Sequence, residues 1–118
     1  MPWTLRLIDN PGPDKKAWDA LQVGDCYFQE QERITLNNLS DQYHAENSNR
    51  RPLVVILPGR NFFCVDSKCF NEKGLYGGWV VKGIPPKITV TPSINAVGRY
   101  HGFITNGIIS DDCEGRKF

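Results

Sequence analysis

Ser93 and His101 are the two residues of this sequence whose types and spacing most suggest catalysis. A serine hydroxyl is a weak nucleophile until an imidazole accepts its proton, and the imidazole works best beside a carboxylate. The sequence predicts Ser93 just past the end of one strand and His101 at the start of the next. Adjacent antiparallel strands would bring the two side chains within hydrogen-bonding distance. Asp66 is the preferred orienting carboxylate, and Asp111 and Asp112 are alternatives.

Four neighbouring residues are expected to line the site: Trp79, Asn95, Tyr100 and Gly102. Gly102 would leave room for a substrate or a close backbone beside His101. A non-catalytic interpretation also stays open. In it, Ser93 and Asn95 satisfy backbone groups of a turn, and His101 is hydrogen-bonded within the sheet.

The cysteines offer a second chemistry. Cys64 and Cys69 have a spacing close to that of a zinc ligand pair, but structural zinc usually needs two such pairs, and here the second is missing. A partial site completed by His101, and a cysteine nucleophile at Cys64 or Cys113, are the alternatives. We predict buried thiols that behave as small hydrophobic side chains, with no metal and no cofactor.

Composition narrows the class of protein. The 118 residues fit one domain, 1–118, with 40% hydrophobic and 23% charged residues. A net charge of +1 gives no global field that would recruit nucleic acid or an acidic membrane. No apolar run approaches the roughly 20 residues that span a bilayer. We therefore expect a protein of the bacterial cytoplasm with reduced cysteines, and its oligomeric state stays open.

The elements that must position these residues form an α+β pattern. We predict a C-terminal antiparallel β-meander with one or two short N-terminal helices packed on it. Asp14 can cap the first helix, in which Ala17, Trp18 and Leu21 share a face, and Ser40 can cap the second. The expected strands are 4–8, 26–28, 53–57, 62–66, 79–82, 87–91, 100–104 and 108–110. Asn106-Gly107 predicts a tight hairpin turn between the last two.

Four segments carry a resemblance to a known family: 8–13, 78–86, 88–95, and 100–103 running on to 110–116. They resemble a family of short proteins of tailed phages and prophages that often carries the label "ammonia monooxygenase". That label does not fit the residues. Ammonia oxidation by the enzyme of that name is a membrane-bound copper reaction, and this chain has only His44 and His101 as imidazole ligands.

The run from Trp79 through Ser93 to His101 is also similar, more distantly, to a wider bacterial family. Some of its members are encoded beside ubiquitin-like proteins and their activating enzymes (the Bub operons) and are regarded as peptidases. This resemblance implies roles for Ser93 and His101. The wider family tends to have a cysteine- and glycine-rich turn where this chain has residues 57–61, so no role of that turn, metal binding included, is implied.

Three functions follow as hypotheses. The first is a serine peptidase-like hydrolase that acts on the extended tail of a ubiquitin-like protein, with Ser93 as nucleophile and His101 as base. The second is a non-enzymatic phage protein that binds a host defence protein. The third is a small-molecule binding module. The first ranks highest because the resemblance supplies named residues for it.

Overall fold

The structure is a computed structural model, and it describes residues 2–29, 51–66, 68–70 and 76–118. Within these residues one short helix, α1, covers Lys15–Asp19. The strands are β1 (Trp3–Thr4), β2 (Arg6–Leu7), β3 (Asp25–Phe28), β4 (Leu53–Leu57), β5 (Asn61–Cys64), β6 (Lys68–Phe70), β7 (Tyr76–Gly78), β8 (Val80–Lys82), β9 (Thr89–Ala96), β10 (Tyr100–Thr105) and β11 (Ile108–Ile109). The described fold is therefore β-rich and has less helix than an α+β class implies.

The strands form two main sheets. The first has five strands in the order β1-β11-β10-β9-β8, and all of its neighbours are antiparallel, which confirms the expected meander for β8 to β11. The expected meander also contained β4 and β5, and this part is wrong because both strands belong to the second sheet. The second has the order β2-β3-β4-β5, with β2 and β3 parallel. A separate pair joins β6 to β7.

The main core lies between these two sheets. Its buried residues alternate along the strands, because successive side chains of a strand point to opposite faces. Val90, Ile94 and Ile104 contribute from the five-stranded sheet, and Leu53 and Val55 from the four-stranded sheet. On β9 and β10 the side chains that alternate with these core residues point away from the core. Ser93 and His101 are among them, so both lie on the outer face of the five-stranded sheet.

Helix α1 covers the four-stranded sheet on the face remote from this core. Asp14 caps the helix as expected, since its carboxylate accepts hydrogen bonds from the backbone of Lys16 and Ala17. The Trp18 ring meets Tyr27 of β3 edge to face, with ring centroids 5.4 Å apart. Helix α1 therefore packs on the sheet of β4 and β5, two strands of the expected meander, and not on the sheet of β8 to β11. The helix expected after Ser40 lies outside the described residues.

The boundaries of the expected strands follow the sequence closely, with two informative differences, whereas β6 and β7 were not expected as strands. The strand expected at 4–8 is divided at Leu5, whose buried side chain lies where the chain crosses from one sheet to the other. The strand expected at 87–91 is instead Thr89–Ala96, so Ser93 lies inside a strand. Asn106 and Gly107 have φ angles of 47° and 79°, which confirms the tight turn. None of the described residues forms a helix long and apolar enough to cross a bilayer.

Candidate functional site

A β-bulge presents Ser93. Gly102 of β10 pairs with Ile94 of β9 and Ile104 pairs with Val90, so the three residues of segment 91–93 lie opposite Phe103 alone. Proline has no backbone N–H to donate and is found within sheets mainly at edges and bulges, so Pro92 explains the irregularity. Trp79 immediately precedes β8, and its indole N–H donates a hydrogen bond to the Ser93 carbonyl at 3.2 Å. The Trp79 side chain thus fixes the backbone of the bulge at Ser93.

Ser93 and His101 meet as the sequence predicts. His101 pairs directly with Asn95, so Ser93 lies diagonally from His101 on the same face of the sheet. Ser93 Oγ is 3.3 Å from His101 Nε2. With the ring proton on Nδ1, Nε2 is free to accept the serine proton. The expectation that the two side chains come within hydrogen-bonding distance is confirmed.

The carboxylate beside the other ring nitrogen belongs to Glu114. Its Oε2 lies 3.5 Å from His101 Nδ1, and the Glu114 side chain is 50% exposed. This separation exceeds a hydrogen bond of about 2.7–3.2 Å, so Glu114 acts on the imidazole chiefly through its charge. Water screens that charge, which makes it a weaker partner than a buried, hydrogen-bonded carboxylate.

The segment 110–116 holds Glu114 in place by covering the edge of β10. Strand β11 is too short to pair with the start of β10, and Asp112 substitutes for it. The His101 N–H donates to Asp112 Oδ1 at 2.7 Å, and the His101 carbonyl accepts a hydrogen bond from the Cys113 N–H at 2.6 Å. Asp112 Oδ2 accepts from the backbone of Glu114 and Arg116. One buried carboxylate therefore joins His101 to the turn that carries Glu114.

Arg116 completes this network. Its Nη1 lies 3.0 Å from Asp112 Oδ1 and 3.4 Å from Glu114 Oε2. Burial acts to raise the pKa of Asp112, but hydrogen bonds from the backbone N–H groups of Arg116 and His101, together with the guanidinium charge, lower it below its ordinary value. Asp112 is therefore held as an anion whose function is to position its neighbours.

Asp66, the expected orienting residue, has a different role. Its side chain is fully buried, and its Oδ2 accepts a hydrogen bond from the Leu53 N–H at 2.7 Å, at the start of β4. The carboxylate at His101 Nδ1 is that of Glu114 instead. The choice of Asp66 is therefore corrected to Glu114. Asp112, an alternative in the sequence analysis, touches the His101 backbone and not its ring.

The four expected lining residues divide into two groups. Tyr100 is completely buried, and its hydroxyl donates to the Ser110 carbonyl at 2.7 Å. The space beside Gly102 is filled by that hydroxyl, not open to a substrate, so both residues are structural. Trp79 packs partly buried against the core and supports the Ser93 backbone. Asn95 is exposed and shares the outer face with Ser93 and His101.

A cavity of about 380 Å³ lies on the other side of the 110–116 segment. Its lining is Trp3, Asp111, Asp112, Gly115, Arg116, Lys117 and Phe118. Neither Ser93 nor His101 lines this cavity. Both lie partly exposed on the sheet face. The chemistry and the cavity are therefore separate features that share the Asp112 turn.

The cysteines of the described region vary in exposure. Cys26 is buried, Cys64 is partly buried and Cys113 is exposed, all three as free thiols. Burial, with a smaller contribution from the Asp25 charge, raises the pKa of the Cys26 thiol to about 11. In the part of the chain that the structure describes, no three histidine, cysteine or acidic side chains gather as a metal site requires. Cys69 is in β6, and its side chain lies outside the description.

Comparison of the chain with protein-family models, curated proteins and solved structures finds no match. Sequence reasoning found Ser93 and His101 but missed Glu114 and the bulge. The signal for the bulge was Pro92 in a run rich in β-branched residues. The signal for the turn was Asp112 followed by Gly115, since an aspartate that bonds backbone N–H groups ahead of it and a later glycine together favour a turn.

Proposed function

We propose that this protein is a serine-type hydrolase in which Ser93 is the nucleophile and His101 the general base. One observation carries the proposal: Ser93 Oγ lies 3.3 Å from His101 Nε2, while the Glu114 carboxylate lies 3.5 Å from Nδ1 of the same ring. Nucleophile, base and carboxylate in this order are the arrangement that serine hydrolases on unrelated folds share.

The reaction uses only groups described above. Ser93 Oγ attacks the acyl carbon while its proton passes to His101 Nε2, and the imidazolium is stabilised by the Glu114 charge. His101 then gives that proton to the leaving group as the acyl–leaving-group bond breaks, which leaves an acyl-Ser93 ester. Water attacks this ester, again through His101, and releases the acid with regeneration of the serine. The atoms and electrons of these steps balance without a metal or a redox partner.

The substrate class follows from the resemblance to peptidases of the ubiquitin-like operons. We propose an amide or ester bond in an extended polypeptide, with the tail of a ubiquitin-like protein as the expected case. A site on an open sheet face suits this substrate, because a chain can lie across the face without entering a closed pocket. A phage protein that cleaves such a tail in the host cytoplasm would counter a modification of host or phage proteins.

The test is hydrolysis of p-nitrophenyl acetate and of a peptidyl aminomethylcoumarin amide by the wild type, Ser93→Ala and His101→Gln. Each variant should lose nearly all activity, with unchanged unfolding midpoints. Thr91→Ala is the matched control, because it removes an exposed hydroxyl from the same bulge and should keep full activity. Activity that survives Ser93→Ala would overturn the proposal. A wild type that hydrolyses neither probe nor a ubiquitin-like fusion would favour the host-protein binder instead.

A further inference from the structure

Phe103 lies beside the proposed nucleophile as an exposed aromatic side chain. It is 47% exposed, whereas its neighbours on β10, Gly102 and Ile104, are buried. Phe103 is two residues from His101, so both side chains leave the same face of the sheet. Because the bulge sets segment 91–93 opposite Phe103, its ring lies at the level of Ser93 on the adjacent strand.

The direction of proton transfer decides which part of a substrate contacts the Phe103 ring. His101 must deliver its proton to the leaving group, so the leaving group lies toward the imidazole. The acyl group must then lie away from His101, where β10 presents Phe103. We infer that Phe103 is the specificity-determining residue of the site and binds an apolar acyl group attached to the scissile carbonyl. This inference rests on the proposed function and adds the preferred substrate class to it.

Two further features support an apolar acyl subsite. Ile108, 43% exposed, pairs with Thr105 and so continues the same face beyond Phe103. The Glu114 carboxylate and Asn95 lie at the opposite end of this face, beside His101, whereas the exposed Thr105 lies between Phe103 and Ile108. An acyl group placed away from His101 therefore meets two exposed apolar side chains, Phe103 and Ile108.

The Phe103 backbone is held independently of its ring. The Phe103 N–H donates to Ser110 Oγ at 2.9 Å, and its carbonyl accepts from the Ser110 N–H at 2.9 Å. Removing the ring therefore leaves the strand pairing intact, and little buried surface is lost. A truncation at Phe103 should change substrate preference and leave the unfolding midpoint unchanged.

The experiment compares kcat/KM for p-nitrophenyl hexanoate and p-nitrophenyl acetate, which differ only in the acyl chain. The wild type should prefer the hexanoate by about tenfold, the lower end of the discrimination that an apolar contact provides. Phe103→Ala should reduce this ratio to about one through a loss on the hexanoate alone, and Phe103→Leu should keep most of the preference. Phe62→Ala is the matched control, since Phe62 is 46% exposed but lies on the other sheet.

The outcomes separate the two proposals. In one outcome, hydrolysis depends on Ser93 while the hexanoate-to-acetate ratio of kcat/KM is the same in the wild type and Phe103→Ala. This result would overturn the role of Phe103 but not the proposed hydrolase. Hydrolysis that survives Ser93→Ala would overturn the hydrolase and the subsite with it. A changed ratio in Phe62→Ala of the same size would show a general loss of structure and would also count against the subsite.

Discussion

Gly102→Ala tests whether the strand that carries His101 depends on close packing beneath it. A Cβ at this position would overlap the Tyr100 hydroxyl oxygen, and it would lie 2.5 Å from Tyr100 Cζ and 2.7 Å from Ser110 Oγ. Ordinary carbon contacts begin near 3.4 Å, so Tyr100 would have to move by more than 1 Å. Tyr100 is completely buried, so a movement of this size must displace side chains that pack against it.

The magnitude follows from these contacts. Overpacking of a filled core costs about 1–3 kcal/mol. Loss of the 2.7 Å hydrogen bond from Tyr100 to the Ser110 carbonyl adds about 1 kcal/mol. Glycine in a strand is itself unfavourable by roughly 0.5–1 kcal/mol relative to alanine, which partly offsets the loss. We expect Gly102→Ala to lower the free energy of unfolding by about 1–3.5 kcal/mol.

Urea unfolding followed by tryptophan fluorescence measures this change, and a double-mutant cycle identifies its cause. In a Tyr100→Leu background the hydroxyl and ring are absent and the contact with Ser110 Oγ remains, so the added methyl should cost less than about 1 kcal/mol. A stable Gly102→Ala in the wild-type background would refute the packing argument. An equal loss in both backgrounds would also refute it, because Tyr100 would then not be the obstacle.

Three further predictions concern charge and thiol chemistry. Because the folded state lowers the pKa of Asp112, the stability it contributes is present above the ordinary aspartate pKa and is lost as the pH falls through the lowered value. Asp112→Asn should therefore flatten the dependence of the unfolding free energy on pH below about pH 4, which urea titrations at several pH values will measure. Iodoacetamide at neutral pH should modify exposed Cys113 far faster than Cys26, whose pKa is raised to about 11, as peptide mass spectrometry can show. Glu114→Gln should lower kcat/KM by about 3- to 30-fold, because a half-exposed carboxylate contributes less than a buried one, and a loss as large as that of Ser93→Ala would contradict this geometry.

The parts of the fold that sequence predicted are those governed by local rules. The continuous apolar run of β4 and the Asn106-Gly107 turn depend on neighbouring residues, and both are as expected. The Ser93–His101 contact could also be predicted from the sequence, because a short hairpin places residues about eight apart on adjacent strands. Local rules did not reveal that α1 packs on the four-stranded sheet, since an apolar helix face does not specify which sheet covers it.

The third member of the site required tertiary information. Asp66 and Glu114 are both carboxylates near strand ends, and the sequence offers no reason to prefer the second. The structure decides between them through backbone hydrogen bonds. Asp66 accepts a hydrogen bond from the Leu53 N–H. Asp112 accepts one from the His101 N–H and so brings Glu114 to the His101 ring. Such side-chain-to-backbone bonds between distant segments leave no periodic pattern in a sequence.

The most direct test of the central claim is the reaction of the protein with a fluorophosphonate, which phosphonylates an activated serine and displaces fluoride. Intact-mass measurement should show one adduct per chain, and peptide mapping should place it on Ser93. The adduct should be absent in Ser93→Ala and strongly slowed in His101→Gln, while Thr91→Ala reacts as the wild type does. An unlabelled wild type, or equal labelling of Ser93→Ala, would contradict the assignment of Ser93 as a nucleophile activated by His101.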